Sequence, residues 1–431
     1  MRRALVTWIV GAVAVFGVAR AVALPENCVP VSEARRTEAI SDAVGWMVRN
    51  QAADGRFLYR YDLEDDRVLD GYNWIRHAGA MLSLAQARSA GFDIGDAFTN
   101  ALDAVHPNVI TSPDGTMAAL SDSGQPSTGG SALLLLALLE YGSTGDMSHE
   151  QLVTGLANFV EASIDDGAYG DGSLVVRESA DSNLRFVQGS VSPFTSGEVA
   201  YALARYNNAD PQASLESQVH GILSYLIRHK AVAEGYVPDM GDHWAAYAMA
   251  EMTKWPDGAR FTDEEIDWAR KQMGLASVMV RYESQRTNHG LDRWLRGRTS
   301  VGSAVGTHGE MLSGWMTVAN AVPGLADQTG GVADRLRCNM ALLASRQIDP
   351  VEASSFTRPD RAEGAWTWFG ITQVDDQQHS LSALVRGGDV LASGIIERQG
   401  SLPSSWLLVV LAMFVAFNPW RVARAARRAP R

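Results

Sequence analysis

Residues 50–87 read NQAADGRFLYRYDLEDDRVLDGYNWIRHAGAMLSLAQA. The stretch holds a helix end, an acidic-Gly turn, an aromatic segment and a second helix. A helical pattern stops near Gln51, and Asp54-Gly55 offers the positive-φ position that a tight turn needs. Phe57, Tyr59 and Tyr61 then alternate as in a short strand or extended loop. The second helix opens on Tyr72, Asn73, Arg76 and His77 and continues with Ala, Gly, Ser and Leu. A helix polar in its first turn and small and apolar along its body is buried lengthwise and presents only its N-terminal end to water.

The unit recurs. Acidic-Gly turns stand at Asp54-Gly55, Asp114-Gly115, Asp166-Gly167, Glu234-Gly235 and Glu363-Gly364, with His289-Gly290 in the matching place between the last two. Each is preceded by an amphipathic helical pattern, at about 33–51, 94–105, 148–163, 212–229, 262–284 and 329–347, and Thr262 with Glu265 makes a capping box for the fifth. Each is followed by a pattern apolar nearly all round, starting near Tyr72, Thr128, Ser196, Asp242, Thr307 and Gln377. Twelve helices in six hairpins, polar-outer alternating with apolar-inner, predict an all-α (α/α)6 toroid.

On these residues the chain resembles the six-hairpin toroid superfamily of glycoside hydrolases, polysaccharide lyases, sugar epimerases and, with related rings, terpene cyclases. Gln51-x-x-Asp54-Gly55-x-Phe57 is similar to the Q-x-x-D-G-x-W repeat of squalene-type cyclases. The resemblance spans about residues 33–390 and implies the fold, while activity has to be argued from the site.

The two ends carry different signals. Arg2 and Arg3, an apolar run from Ala4 to Val18 and Ala21-Val22-Ala23 predict a signal peptide over residues 1–23, the alternative being an uncleaved anchor. Residues 402–420 are long enough for a membrane-spanning helix, and the arginines of 421–431 mark its cytoplasmic side. A processed sorting signal is the alternative. The toroid domain, 24–395, is therefore expected outside the cytoplasm, anchored in the cytoplasmic membrane through its C-terminal helix. Without the eight terminal arginines the net charge of −12 becomes about −20, which argues against nucleic acid as a partner. Cys28 and Cys338 pair if a closed ring brings the two ends together; two unpaired thiols are the alternative.

In such a ring the starts of the inner helices line one face. Glycoside hydrolysis needs two carboxyl groups there. Glu310 and Asp242 are the first candidates, each beside a histidine, followed by Glu198 and Asp376, with His77 and His308 as further catalytic candidates. A β-elimination would instead use a Tyr or His base and a cation, a set offered by Tyr72, Asn73, Arg76 and His77. His243, Trp244, Trp366, His379, Arg293 and Trp294 complete the expected saccharide-binding residues, the last two in an arginine-rich loop suited to an anionic polymer. Any one of these residues also has a plain reading as helix cap or buried hydrogen-bonding group. Lanthionine-cyclase-like rings bind zinc at the centre, but with cysteines. Here no Cys lies near the inner starts, and no H-x-x-x-H or C-x-x-C spacing joins His77, His243, His308 and His379, so no metal or other cofactor is expected. The expected activity is hydrolysis or β-elimination of a polysaccharide. A non-catalytic polymer-binding ring, or a cyclase or isomerase of an apolar substrate, are the competing readings.

Overall fold

The computed structural model describes residues 28–143, 145, 149–167, 169–187, 189–233, 241–256, 258, 260–286 and 303–388, with scattered positions among residues 6–26. Six helical hairpins follow one another: α1 Glu33–Arg49 with α2 Trp74–Ser89, α3 Ala97–Val105 with α4 Thr128–Gly142, and α5 Glu150–Ala162 with α6 Thr195–Ala209. Then come α7 Ala213–Arg228 with α8 His243–Met252, α9 Asp263–Ser284 with α10 Ser303–Ala321, and α11 Thr329–Arg346 with α12 Val374–Arg386. The even-numbered helices form the inner layer. Each packs on the next, from α2 through α4, α6, α8 and α10 to α12, and α12 packs back on α2. The circle is closed, as the sequence pattern predicts.

The two layers differ because their sequences do. In α4 every residue from Thr128 to Leu138 is buried, so no face is left for water. In α5 burial is confined to Gly155, Leu156, Ala157, Phe159 and Val160, a single stripe against the inner layer. The capping box of Thr262 and Glu265 starts α9, with the Thr262 side chain accepting from the Glu265 backbone and the Glu265 carboxylate accepting from the Thr262 N–H.

The opening stretch shows how hairpins are tied to their neighbours. Gly55 has φ +82°, and a Cβ there would run into the backbone carbonyl of Asn100 on α3. The Gln51 side chain donates to Gly55 O and to Ala97 O, at the start of the next outer helix. The sixth hairpin repeats this. Gly364 has φ +83° and lies against the Asp42 backbone, while the Gln347 side chain donates to Gly364 O and to Ala39 O. The neighbour reached from hairpin six is therefore α1. Gly115 shares the positive φ, but Gly167 does not. The turns expected at Glu234-Gly235 and His289-Gly290 lie outside the described residues.

Three further links join the ends of the domain. Cys28 and Cys338 form a disulfide across a sequence separation of 310, resolving the question the sequence left open. Arg35 donates to Ala344 O, and Arg36 donates to Leu384 O at 2.8 Å, so the first helix grips the last hairpin.

Small antiparallel sheets edge the ring: β1 Arg60–Asp62 lies between β2 Arg67–Val68 and β8 Ile371–Gln373, β4 Ala118–Asp122 lies between β3 Val109–Thr111 and β5 Gln125–Pro126, and β6 Ile164–Asp165 pairs with β7 Val175–Val176. The β1–β8 pair brings the entry to α12 beside the entry to α2. The aromatic alternation of 57–61 yields a strand only at its end, since Phe57 makes an isolated bridge with Gln51.

Two inner helices begin a turn earlier than the sequence pattern suggests, α10 at Ser303 rather than Thr307 and α12 at Val374 rather than Gln377. In α12 the acidic Asp375 and Asp376 interrupt the apolar pattern although both are buried. The shift places Glu310 eight residues into α10 and His379 six residues into α12.

Among the described residues no helix is long and apolar enough to cross a membrane. The segments 402–420 and 421–431 lie outside those residues, as does most of the proposed signal peptide.

Candidate active site

A buried polar group is built where three neighbouring inner helices meet. β8 delivers the chain into α12, whose first two turns carry Asp375, Asp376, Gln378 and His379, all buried. His379 Nδ1 donates to Glu310 Oε2 of α10 at 2.6 Å. The other ring nitrogen, Nε2, is 3.6 Å from Asp375 Oδ1, which in turn lies 3.4 Å from Arg76 Nε of α2. From α8, His243 directs Nε2 toward the same Glu310 oxygen at 3.7 Å, beyond hydrogen-bond reach, and that nitrogen is buried without a hydrogen-bond partner. The two imidazoles cross at 82° with centroids 5.2 Å apart, and Trp244 packs beside both.

This arrangement pushes the two histidines in opposite directions. Burial alone would lower the pKa of His379, but the charge of Glu310 and its hydrogen bond, with Asp375 and Asp376 behind, raise it to about 9. His243 is held well below 6.5 by burial first, then by the positive charges of His379 and Lys230. At neutral pH one imidazole is charged and its neighbour is neutral.

A second cluster adjoins the first. Asp242 caps α8, Oδ1 accepting from Ala245 N at 3.0 Å, while Oδ2 accepts from Lys230 Nζ at 2.7 Å in a buried ion pair. The Asp242 carboxylate packs over Gly197 of α6, where any side chain would collide with it. Glu198, the next residue, is buried, and its pKa is raised to about 8 by burial and by the nearby charges of Glu178 and Asp242. Glu178 accepts from Ser127 Oγ at 2.9 Å and from Thr195 Oγ1.

Close approach of the inner helices holds these groups in place. Gly306 of α10 lies against the backbone of α12, where a Cβ would sit 2.6 Å from His379 C and 2.7 Å from Ser380 N. Only glycine lets α10 come near enough for Glu310 to reach His379.

Other residues named from the sequence are placed elsewhere. His77 turns outward: Nε2 donates to Ala101 O of α3 at 2.9 Å, which leaves Nδ1 to accept from the Tyr72 hydroxyl at 2.5 Å. Burial holds its pKa down to about 4 despite the Ala101 carbonyl. Tyr72 also accepts from Phe57 N, and Asn73 caps α2 through Arg76 N and reaches Asp122, so of this foursome only Arg76 faces the cluster. His308 is lowered to about 4 by burial, opposed by the charge of Glu283 of α9, and is near enough to His243 to help hold that imidazole neutral. Trp366 is fully buried and donates to Leu343 O. Asp376 is buried and accepts from the Gln373 side chain at 3.2 Å. Arg293 and Trp294 lie outside the described residues. Lys230 and Glu178 escaped the sequence reading because neither stands at the start of an inner helix.

Glu310, His243 and His379 also offer three ligand atoms within 4.8 Å of one another. This donor set was not anticipated: it shares two of the four histidines first considered for zinc and replaces the others with a carboxylate.

No family model matches the chain, and no curated protein matches it by sequence. Solved structures do. Cellobiose 2-epimerase from Spirochaeta thermophila superposes with a TM-score of 0.55 at 13% identity, over 83% of this chain and 96% of that one. A sugar epimerase from a ruminal bacterium gives 0.53 at 13% identity, over 84% and 100%. An inactive variant of an α-1,6-mannanase from Salegentibacter sp. HEL1_6, in complex with α-1,6-mannotriose, gives 0.54 at 10% identity, over 82% and 99%. What they share with this chain is the ring. The chain is an (α/α)6 toroid of the kind found in glycoside hydrolases and sugar epimerases.

Proposed function

We propose that this protein is an extracytoplasmic enzyme acting on a saccharide, and that its reaction moves a proton at a carbon beside the sugar carbonyl. The observation that carries the reading is the approach of two buried imidazoles from neighbouring helices to one oxygen of Glu310. Isomerisation beside a carbonyl needs a neutral base to take the proton and a cation to steady the enediolate that forms. His243 is the neutral partner and His379 the charged one, oriented by Glu310 and Asp375. Trp244 supplies an apolar wall beside them. Toroids described as a sugar epimerase and a cellobiose 2-epimerase support the choice of substrate class by analogy.

Hydrolysis, the first expectation from the sequence, keeps one specific support. Glu198, protonated at neutral pH, stands near the salt-bridged Asp242, and a raised carboxyl beside a second one is the pairing that glycosidic cleavage uses. Elimination on a uronate is less well served, because Arg76 lies against Asp375 and Lys230 is paired with Asp242.

The test is to incubate the full chain with neutral and acidic mono- and oligosaccharides in deuterated water. Deuterium incorporation beside the carbonyl, without new reducing ends and abolished in His379→Asn, supports proton transfer. New reducing ends that depend on Glu198 and bring no deuterium refute it in favour of hydrolysis.

The compartment is part of the proposal. The disulfide suits an oxidising environment, and the apolar segments at both ends suit export and tethering. Deleting residues 402–431 is expected to release the protein from the membrane fraction; retention there refutes the tether.

A further inference from the structure

We infer that Glu310, His243 and His379 form a binding site for a divalent transition-metal cation of the zinc class, with one coordination position open to the mouth of the ring. The inference goes beyond the saccharide reading and does not depend on it. Its basis is the donor set. Two imidazole nitrogens and one carboxylate oxygen, all on buried residues, lie within 4.8 Å of one another. In a tetrahedral site with bonds of about 2.0–2.2 Å, ligand atoms stand about 3.3 Å apart. The 2.6 Å pair of His379 and Glu310 would open slightly, and the 3.7 Å pair of His243 and Glu310 would close slightly. The third pair, His243 and His379, lies within 4.8 Å and would draw together as well.

Two further observations point to a ligand at this place. His243 Nε2 is buried and has no hydrogen-bond partner although the side chain is directed at the Glu310 oxygen, an arrangement that burial penalises unless something fills the gap. In addition, the second ring nitrogen of His379 has the Gln378 side-chain nitrogen at 3.5 Å and the Asp375 carboxylate, backed by Arg76, 3.6 Å away, just beyond hydrogen-bond reach. Metal-bound histidines almost always pass their second ring nitrogen to such an acceptor, which fixes the tautomer and the ring orientation. The fourth position falls to water or to a substrate oxygen, since these three residues supply one ligand atom each. Nitrogen–nitrogen–oxygen donation suits zinc, cobalt or iron better than calcium or magnesium.

Occupancy has a consequence for the proposed chemistry. A histidine nitrogen bound to a metal cannot exchange a proton, so a cation and a substrate proton compete for the same two side chains.

Cobalt(II) is the probe, because its tetrahedral complexes absorb visibly whether or not the enzyme turns over. The full chain, freed of metal with a chelator, is titrated with cobalt chloride and then with zinc chloride. Expected are a saturable visible band at one cobalt per chain, its displacement by zinc, and at least a tenfold weaker band in both His243→Asn and Glu310→Gln. Circular dichroism of the variants checks that they are folded. A band of unchanged strength in folded variants, or no saturable band in the wild-type chain up to millimolar cobalt, overturns the site. Cobalt binding without deuterium exchange in any sugar would leave the metal site standing and sink the isomerase reading; exchange without cobalt binding would do the reverse.

Discussion

Replacing Gly306 by alanine tests the link between helix packing and the site most directly. The added carbon would lie 2.6–2.7 Å from His379 C, His379 Cβ and Ser380 N, and two of these atoms are backbone. Ordinary contact needs roughly 3.6 Å, so α10 and α12 must separate by about 1 Å. Overpacking of this kind costs about 1–3 kcal/mol, offset by up to about 1 kcal/mol from the better helix propensity of alanine. The net loss expected is about 0–3 kcal/mol. Function should suffer more than stability. Displacing His379 from Glu310 by about 1 Å is expected to lower turnover roughly 100-fold with a small change in KM. Gly274 in α9 is the matched control, because a Cβ there meets nothing within 4 Å. Gly274→Ala should leave turnover intact and stabilise by up to about 1 kcal/mol. Urea denaturation and deuterium exchange into sugar, measured on both variants, decide the matter. If Gly306→Ala and Gly274→Ala behave alike, close approach of the helices is not what holds the site.

Glu310→Gln should move the His379 titration down from about 9, seen by histidine NMR, because burial is then opposed by Asp375 and Asp376 without the larger contribution of Glu310. A histidine raised in the folded state stabilises fully below 6.5, and that contribution fades as pH rises through 9; in the variant this decline in stability should be smaller and set in at lower pH. Glu198 presents the opposite case. With a folded pKa of about 8 against 4.5, it destabilises the fold increasingly as pH climbs from 4.5 through 8. Glu198→Gln should therefore raise stability at pH 8 relative to wild type while changing little at pH 4.5, as read by urea midpoints. Reduction of the Cys28–Cys338 bond, or Cys338→Ser, should cost about 2–5 kcal/mol, given the long loop it closes. An unchanged melting temperature under reducing agent would contradict that.

The ring was legible because it is written redundantly. Continuous apolarity in α4, a single buried stripe in α5, and the Gln51–Gly55 and Gln347–Gly364 pairings each state which layer a helix belongs to or which helix comes next. The site was legible only by position. The starts of the inner helices pointed to Glu310, His243 and His379, but sequence carries no record of azimuth. His77 stands in the first turn of α2 as His379 stands in the second turn of α12, yet it turns outward to Ala101 because Tyr72 and an outer-helix carbonyl complete its hydrogen bonds there. Lys230 was invisible for another reason. It reaches Asp242 from the turn after an outer helix, and nothing in local pattern distinguishes it from a solvated lysine.

The grip of Arg36 on Leu384 O makes the beginning and the finish of the domain touch. An open stack of repeats has two terminal units, each exposed on one flank and prone to fray. A circle has none, so every hairpin here has a neighbour on both sides and no capping unit is required. Which hairpin comes first then becomes an accident of where the polypeptide happens to be cut. A permuted gene starting at hairpin three, with the former ends joined, should yield the same annulus.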